Sequence, residues 1–274
     1  MPRLTLLSMP SVPSHEARST GKVSVILPTF NEVGNIVALC HALHTVITHP
    51  HEIIVVDDNS PDGTSQAVES TIGAGCADWL RLETRRTDRG LRKSIWRGIE
   101  IATGDTIVWM DCDFSMPPSD VPALLQKIDE GYDVAVGSRF MMGGSHKKGV
   151  TLGGSQESWI VIVLSRMLNI ALRVSLTPRF RDWTSGFIAI RAPIVRRIGL
   201  RGDYGEYFMD LMERVILLGY RFIEIPYVCV PRVAGETKTA PNFTALIRRG
   251  SKYLVTLVRL QGVRLKKIMG IQIA

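Results

Sequence analysis

The sequence predicts an α/β fold built on a mostly parallel sheet with helices on both faces, followed by an amphipathic helical appendage at the C-terminal end. Three observations carry that expectation. Short β-branched apolar runs alternate with stretches of helical spacing through the first half. Polar or acidic clusters follow the ends of several of those runs, where ligands bind in open parallel sheets. The positive charge gathers at one end: the formal net charge is +7, and the seven basic residues after Asn242 meet no acid there.

Taken in order, Val23–Leu27 is an apolar run closed by Pro28 and reads as the first strand. Asn31–Thr48 follows with helical spacing. Ile53–Val56 is a second strand ending in Asp57 and Asp58, and a short helix follows Asp62 and Gly63. Trp79–Leu82 is a weaker strand, Leu91–Ala102 a helix stopping at Gly104, and Thr106–Met110 a strand. Ser119–Asp129 reads as a helix and Val134–Val136 as a strand. Ser155–Leu176 is a helix apolar almost all round, with Arg166, Asn169 and Arg173 in one narrow polar stripe. Tyr207–Leu218 is a helix and Phe222–Val230 a strand. Phe243–Leu260 is an amphipathic helix with Arg248, Lys252 and Arg259 close to one face. No internal repeat or long linker interrupts this. The expected organisation is a loose extension over residues 1–20, one domain over 21–240, and a basic amphipathic segment over 241–274.

A chain of 274 residues, 45% hydrophobic and 22% charged, buries a real core and is not disordered. Cys40, Cys76, Cys112 and Cys229 are far apart and form no metal or redox pair, so they read as reduced thiols of a cytosol-facing protein. The apolar piece Leu4–Met9 is too short for a signal peptide. No window approaches the roughly 18 apolar residues of a membrane span. The basic tail suits an anionic surface. Little aromatic interleaving makes nucleic acid the poorer partner, whereas apolar and basic faces together fit a lipid headgroup boundary. His41, His44, His49 and His51 crowd one region and read as solvated or packed imidazoles.

The most informative stretch is Val108–Pro118, where Asp111 and Asp113 sit one residue apart at a strand end. There, two carboxylates can grip one hard divalent cation and leave room for phosphate oxygens on its other side. The bland reading is a polar turn. What tips the balance is the ordered set around it: Pro28-Thr-Phe-Asn-Glu32, Asp57-Asp-Asn-Ser-Pro-Asp-Gly-Thr64, Asp111-Cys-Asp113, Gly137-Ser-Arg-Phe140, Asp182-Trp-Thr-Ser-Gly-Phe187 and Arg232-Val-Ala-Gly-Glu-Thr-Lys238.

This set, spread over roughly Val23 to Leu260, resembles the family-2 inverting glycosyltransferases of the GT-A fold, a Rossmann-like architecture. Within them it looks most like the dolichol-phosphate or polyprenol-phosphate mannosyltransferases. The resemblance implies that Pro28, Asn31 and Glu32 line a nucleotide pocket, that Asp58 bonds the base or ribose, and that Asp57 supports it. It implies Mg²⁺ or Mn²⁺ on Asp111 and Asp113, Arg139 and Arg232 on phosphates, and Asp182 near the transferred sugar. Lys238 completes the set from a loop that could fold over the nucleotide. Asp113, Arg139, Asp182 and Arg232 are thus the expected catalytic residues. The implied reaction is transfer of mannose from GDP-mannose to a polyprenyl (dolichyl) phosphate at the cytosolic face of a membrane.

Physical chemistry makes the set coherent. Negative charge builds on the departing nucleoside diphosphate, where a cation and arginines stabilise the transition state most. A phosphate monoester with a second pKa of about 6 is already mostly ionised at pH 7, so its oxygen needs no strong base.

Two departures from the family pattern stand out. Ser115 occupies a position where the family often has an amide, so the metal shell is expected to use Ser115 or water. The acceptor-side helix starts with the apolar Trp159–Leu164, leaving Lys147, Lys148 or Arg166 to substitute for a missing basic residue. The family often carries membrane-spanning helices at its C-terminus. This chain is expected to attach peripherally, through a small membrane-anchored partner subunit, or through the lipid itself. Three alternatives stay open: glucose or another hexose from a UDP-sugar, a sugar-hydroxyl acceptor with Asp182 as base, or a binding subunit without chemistry.

Overall fold

A computed structural model describes residues 21–146, 159–230 and 243–273. In chain order the elements are β1 (Val23–Thr29), α1 (Ile36–Val46), β2 (His51–Asp57), α2 (Thr64–Thr71), β3 (Leu80–Thr84), α3 (Leu91–Ile101), β4 (Thr106–Trp109), α4 (Val121–Asp129), β5 (Val134–Ser138) and β6 (Ser145–His146). Then come α5 (Trp159–Ser175), β7 (Ile188–Arg191), α6 (Ala192–Ile198), α7 (Glu206–Leu217), β8 (Phe222–Pro226), β9 (Val228–Cys229) and α8 (Phe243–Ile268).

Seven strands form one sheet in the order β3-β2-β1-β4-β7-β5-β8, and β6 pairs with β9 in a small parallel ribbon. Every pairing in the large sheet is parallel except those of β7, which runs antiparallel to β4 and to β5. The expected strands are present, except that Phe222–Val230 is not one strand but β8 and β9 in two different sheets, and helices cover both faces. That is why β1 and β2 read as nearly unbroken apolar runs: their side chains are buried on both sides. One apolar cluster lies under α1 and α4, the other under α3, α6 and α7. α1 presents Ile36, Leu39, Cys40 and Leu43 at helical spacing to the first of these. α3 approaches β1 so closely that a Cβ on Gly98 would lie 2.4 Å from Ile26 Cγ2.

β7 and α6 were not expected from the sequence. A strand of four residues between Gly186 and Pro193 is too short to announce itself by periodicity. Its direction matters: because β7 is antiparallel, the residues that precede it arrive at the same sheet edge as the ends of β1, β2, β4, β5 and β8.

The first helix begins at Ile36 instead of Asn31. Asn31 takes a left-handed backbone, φ 54°. The amides of Asn31, Glu32 and Val33 donate to Ser60 Oγ (2.8 Å), Thr64 Oγ1 (3.0 Å) and Asp62 Oδ2 (3.1 Å). The left-handed turn at Asn31 interrupts the helical path, and these side chains satisfy amides that would have no partner inside a helix in any case.

α8 packs through Thr256, Leu260 and Val263, and its basic residues reach acids of the domain. Lys252 pairs with Asp203 at 3.0 Å, Arg259 with Asp210 at 2.9 Å and Arg264 with Glu213 at 3.0 Å. So part of the tail's positive charge holds the tail in place. The histidines make surface ring contacts: His44, though exposed, stacks on Trp79 at 4.1 Å, and its Nδ1 lies 2.9 Å from His51 Nε2.

Candidate active site

The carboxyl edge of the sheet carries the sequence-predicted residues that the structure describes. At the end of β1 Pro28 is half-buried; beyond it Asn31 is exposed and Glu32 buried, with Asn35 donating to Glu32 Oε2 at 2.8 Å. After β2, Asp57 is fully buried. It accepts from the Ser60 amide (3.0 Å), the Ser60 hydroxyl and the Ser65 hydroxyl (2.6 Å). This is turn chemistry that locks the loop. Asp62 does similar work. Burial raises its pKa, but hydrogen bonds from Thr64 and the Val33 amide hold it below the usual carboxylate range.

Asp58 is held differently. Oδ1 accepts from Arg85 Nη1 (2.9 Å) and Ser94 Oγ (2.7 Å), and Oδ2 from the Gly90 amide (2.7 Å). Arg85 also donates to Ser94 Oγ and to the carbonyl of Asp88. Asp58 therefore ties the loop after β3 to the end of β2. Arg85 carries no sequence signal of its own, since it lies in a run of arginines with no motif around it.

After β4, Asp111 is exposed and Asp113 only 3% exposed. Between them Cys112 turns inward, its thiol donating to the Pro28 carbonyl at 3.4 Å, and burial pushes its pKa up. Phe114 has a left-handed backbone, φ 63°, where the chain turns. The Ser115 amide donates to Asp113 Oδ1 at 3.0 Å, and the Ser115 carbonyl accepts from the Val230 amide at 3.1 Å. The aspartate loop is thus braced by the chain leaving β9. Among the described residues no three His, Cys, Asp or Glu side chains converge as a metal cage. Two carboxylates without a third protein ligand fit a hard cation whose shell is completed by substrate phosphates and water.

After β5, Arg139 meets Asp182. Nε donates to Oδ2 at 2.9 Å and Nη2 to Oδ1 at 2.7 Å, and the Arg139 amide adds a third bond to Oδ2 at 2.9 Å. Asp182 is fully buried. Burial alone would lower the Arg139 pKa, but the Asp182 charge beside it keeps it well above the ordinary value. Thr184 Oγ1 accepts from Arg139 Nη2 (2.9 Å) and from Asn169 Nδ2 (3.1 Å), which links α5 to the pair. Glu224, on β8, accepts from the amides of Arg181 (2.9 Å) and Asp182 (3.0 Å), and burial raises its pKa. Glu224 is also missing from the sequence-level set. Its role is visible only once β8 lies beside β5.

Arg232 and Lys238 lie outside the described residues, as do Lys147 and Lys148. Arg166 is exposed on α5.

A parallel-dominated sheet whose carboxyl edge carries an Asp-x-Asp turn, a buried acid pair and an arginine fork defines a glycosyltransferase of the GT-A type. Comparison with known proteins agrees. The family model for glycosyl transferase family 2 matches residues 24–199. The chain is 34% identical over 224 residues to a dolichol-phosphate mannosyltransferase of Pyrococcus furiosus, covering 79% of this chain and 59% of that protein. It is 31% identical over 227 residues to a polyprenol monophosphomannose synthase of Mycolicibacterium smegmatis, covering 81% and 82%. The chain belongs to glycosyl transferase family 2.

Among solved structures, glucosyl-3-phosphoglycerate synthase from Mycobacterium tuberculosis aligns with a TM-score of 0.66 at 18% identity, covering 90% of this chain and 82% of that one. A mannosyltransferase from Pyrobaculum calidifontis, solved with GDP-Man and Mn²⁺, aligns at 0.61 and 22% identity, covering 92% and 66%. At those identities the likeness is one of fold.

Proposed function

We propose that the protein transfers mannose from GDP-mannose to a polyprenyl phosphate, with inversion, at a membrane surface. The observation that carries this reading is the shared sheet edge on which Asp111 and Asp113 stand with the Arg139–Asp182 pair. The names of the two relatives above support the sugar and the lipid phosphate.

In this reading Pro28, Asn31, Glu32 and Asp58 line the nucleotide side, with Asp57 supporting the loop behind them. Asp111 and Asp113, with Ser115 or water, hold Mg²⁺ or Mn²⁺; the bound cation supplies charge stabilisation for the departing diphosphate. Arg139, whose Nε and Nη2 are engaged by Asp182 and Thr184, offers its remaining Nη1 donors to a phosphate oxygen, with Arg232 as a second phosphate contact and Lys238 as a further contact to the nucleotide. Asp182 positions Arg139. All its oxygens are engaged, which favours an acceptor already ionised at neutral pH over a sugar hydroxyl that needs a base.

Attachment to the membrane is peripheral in this reading. No described helix is long and apolar enough to cross a bilayer. α5 exposes Met167, Ile170 and Val174, and α8 exposes Leu254, Val255, Val258, Leu265 and Ile268 beside the exposed Lys266 and Lys267. That combination suits the headgroup boundary of a cytosolic leaflet, directly or alongside a membrane-anchored partner.

The test is a panel of radiolabelled nucleotide sugars with short polyprenyl phosphates, with and without chelator, counting label extracted into organic solvent. GDP-mannose should give cation-dependent lipid label that Asp113→Ala abolishes. Label from a UDP-hexose alone, or undiminished transfer by Asp113→Ala, overturns the reading.

A further inference from the structure

We propose that the Tyr227 hydroxyl is a further substrate contact, donating a hydrogen bond to a phosphate oxygen held between Arg139 and the Asp111–Asp113 turn. The inference rests on the phosphate-transfer reading above and adds to it a residue that no motif contains.

Tyr227 joins β8 to β9 and is 3% exposed. Its backbone is fixed on both sides. The amide donates to the Ser138 carbonyl at 3.1 Å, and the carbonyl accepts from the Ser145 amide at 3.2 Å. Its ring stands edge-on to Phe187 with centroids 5.4 Å apart. The ring is therefore fixed by packing, beside the residue that precedes Arg139.

Among the described residues the Tyr227 hydroxyl has no hydrogen-bond partner. Buried phenols ordinarily find one, because the ring is content in a core and the oxygen is not. The groups that act on it electrostatically include Arg139, Asp182 and Asp111 of the site, with Cys229 of β9. Burial and those acids raise its pKa, so at neutral pH it is a protonated donor. A donor needs an acceptor. Asp182 is already engaged by Arg139, and the turn of Asp111 and Asp113 is the cation side of the site. A phosphate oxygen drawn in by Arg139 is the acceptor whose chemistry fits. It could come from the nucleotide diphosphate or from the acceptor monophosphate.

Tyr227→Phe separates these cases, because it deletes one oxygen and keeps the packing. In the full chain, the unfolding midpoint should equal or exceed that of the wild type, since an unpaired buried hydroxyl is removed. The ratio kcat/KM should fall about 10- to 100-fold. Weaker calorimetric binding of GDP with Mn²⁺ in the absence of acceptor assigns the contact to the diphosphate. Unchanged GDP binding with a raised KM for the short polyprenyl phosphate assigns it to the acceptor. Wild-type kinetics in both substrates, or an activity loss matched by a lowered unfolding midpoint, overturns the proposal. A wild-type protein that binds no GDP-mannose with cation overturns instead the reading on which it rests.

Discussion

Asp182 engages Arg139 with both carboxylate oxygens, and the Thr184 amide adds a longer bond to Oδ1 at 3.3 Å. Two parallel bonds of 2.9 and 2.7 Å form the fork, and the arginine's own amide adds a third. With Asp182 fully buried and Arg139 14% exposed at the side chain, this pair sits in low dielectric, where geometry decides its worth. Removing the acid leaves a buried guanidinium without its counter-charge. Asp182→Asn should cost about 3–5 kcal/mol of stability in urea unfolding. Turnover should fall about as far in Arg139→Lys, because an ammonium cannot reproduce the fork. The double variant should lose little more than either single one. If Asp182 were instead a general base, its variant would change the shape of the pH–rate profile while Arg139→Lys would not. That outcome would return the hydroxyl-acceptor alternative to first place.

Asp58 and Arg85 make a second prediction. The pair is nearly buried on both sides and, with Ser94 and the Gly90 amide, fastens the loop after β3 to the nucleotide side of the sheet. Arg85→Met should therefore weaken GDP binding about ten-fold or more without any change in cation dependence. Calorimetry with GDP at several Mn²⁺ concentrations checks both halves. Unaltered GDP affinity in a folded Arg85→Met protein would mean that the loop takes no part in the nucleotide pocket.

The sequence made the sheet legible where strands were buried on both faces and stopped at polar clusters, as at β1, β2 and β4. It made the aspartate turn and the arginine of Gly137-Ser-Arg-Phe140 legible because those residues sit in short contiguous motifs. It hid whatever depends on non-local pairing. β7 is four residues long, and its antiparallel insertion between β4 and β5 is a property of the folded sheet alone. Arg85 and Glu224 act through partners 27 to 43 positions away. α1 starts later than its spacing suggests because Asn31 takes a left-handed backbone in a loop held by Ser60, Asp62 and Thr64, and helical spacing does not register a backbone dihedral. The basic stripe of the tail was legible as charge, but its pairing with Asp203, Asp210 and Glu213 was not.

Glu213 carries a pH prediction. Its side chain is buried on α7, facing Arg264 of α8; Asp210 and Arg214 lie on the same helix. Burial raises its pKa to about 7, against the opposing pull of Arg264. A carboxyl whose folded pKa lies above its unfolded value near 4.5 binds its proton more tightly in the native state. Its contribution to stability is then fully present below pH 4.5 and is lost as pH rises through about 7. Glu213→Gln should remove that loss. Urea unfolding at pH 5 and pH 8 should show the wild type losing up to about 2.5 kcal/mol more than the glutamine variant. Parallel pH profiles for the two proteins would mean that the Arg264 pair outweighs burial.

The outward face of α8 yields the last prediction. Val258 is 73% exposed and Leu265 59%, and seven residues, about two turns, separate them along one side of the helix. Neither supports the core, so Val258→Glu with Leu265→Glu should leave the unfolding midpoint where it was. Seated in a lipid interface, the same side chains would each gain about 1.5 kcal/mol or more from burial. Losing both should therefore weaken binding to phosphatidylserine-containing vesicles about a hundred-fold. Wild-type binding itself should fall as salt is raised, because Lys266 and Lys267 meet anionic headgroups through a screened field. Sedimentation with vesicles of graded phosphatidylserine content reads both effects. Equal sedimentation of the double variant and the wild type would assign these residues to contact with a partner subunit, or to none, and would take the bilayer away from α8.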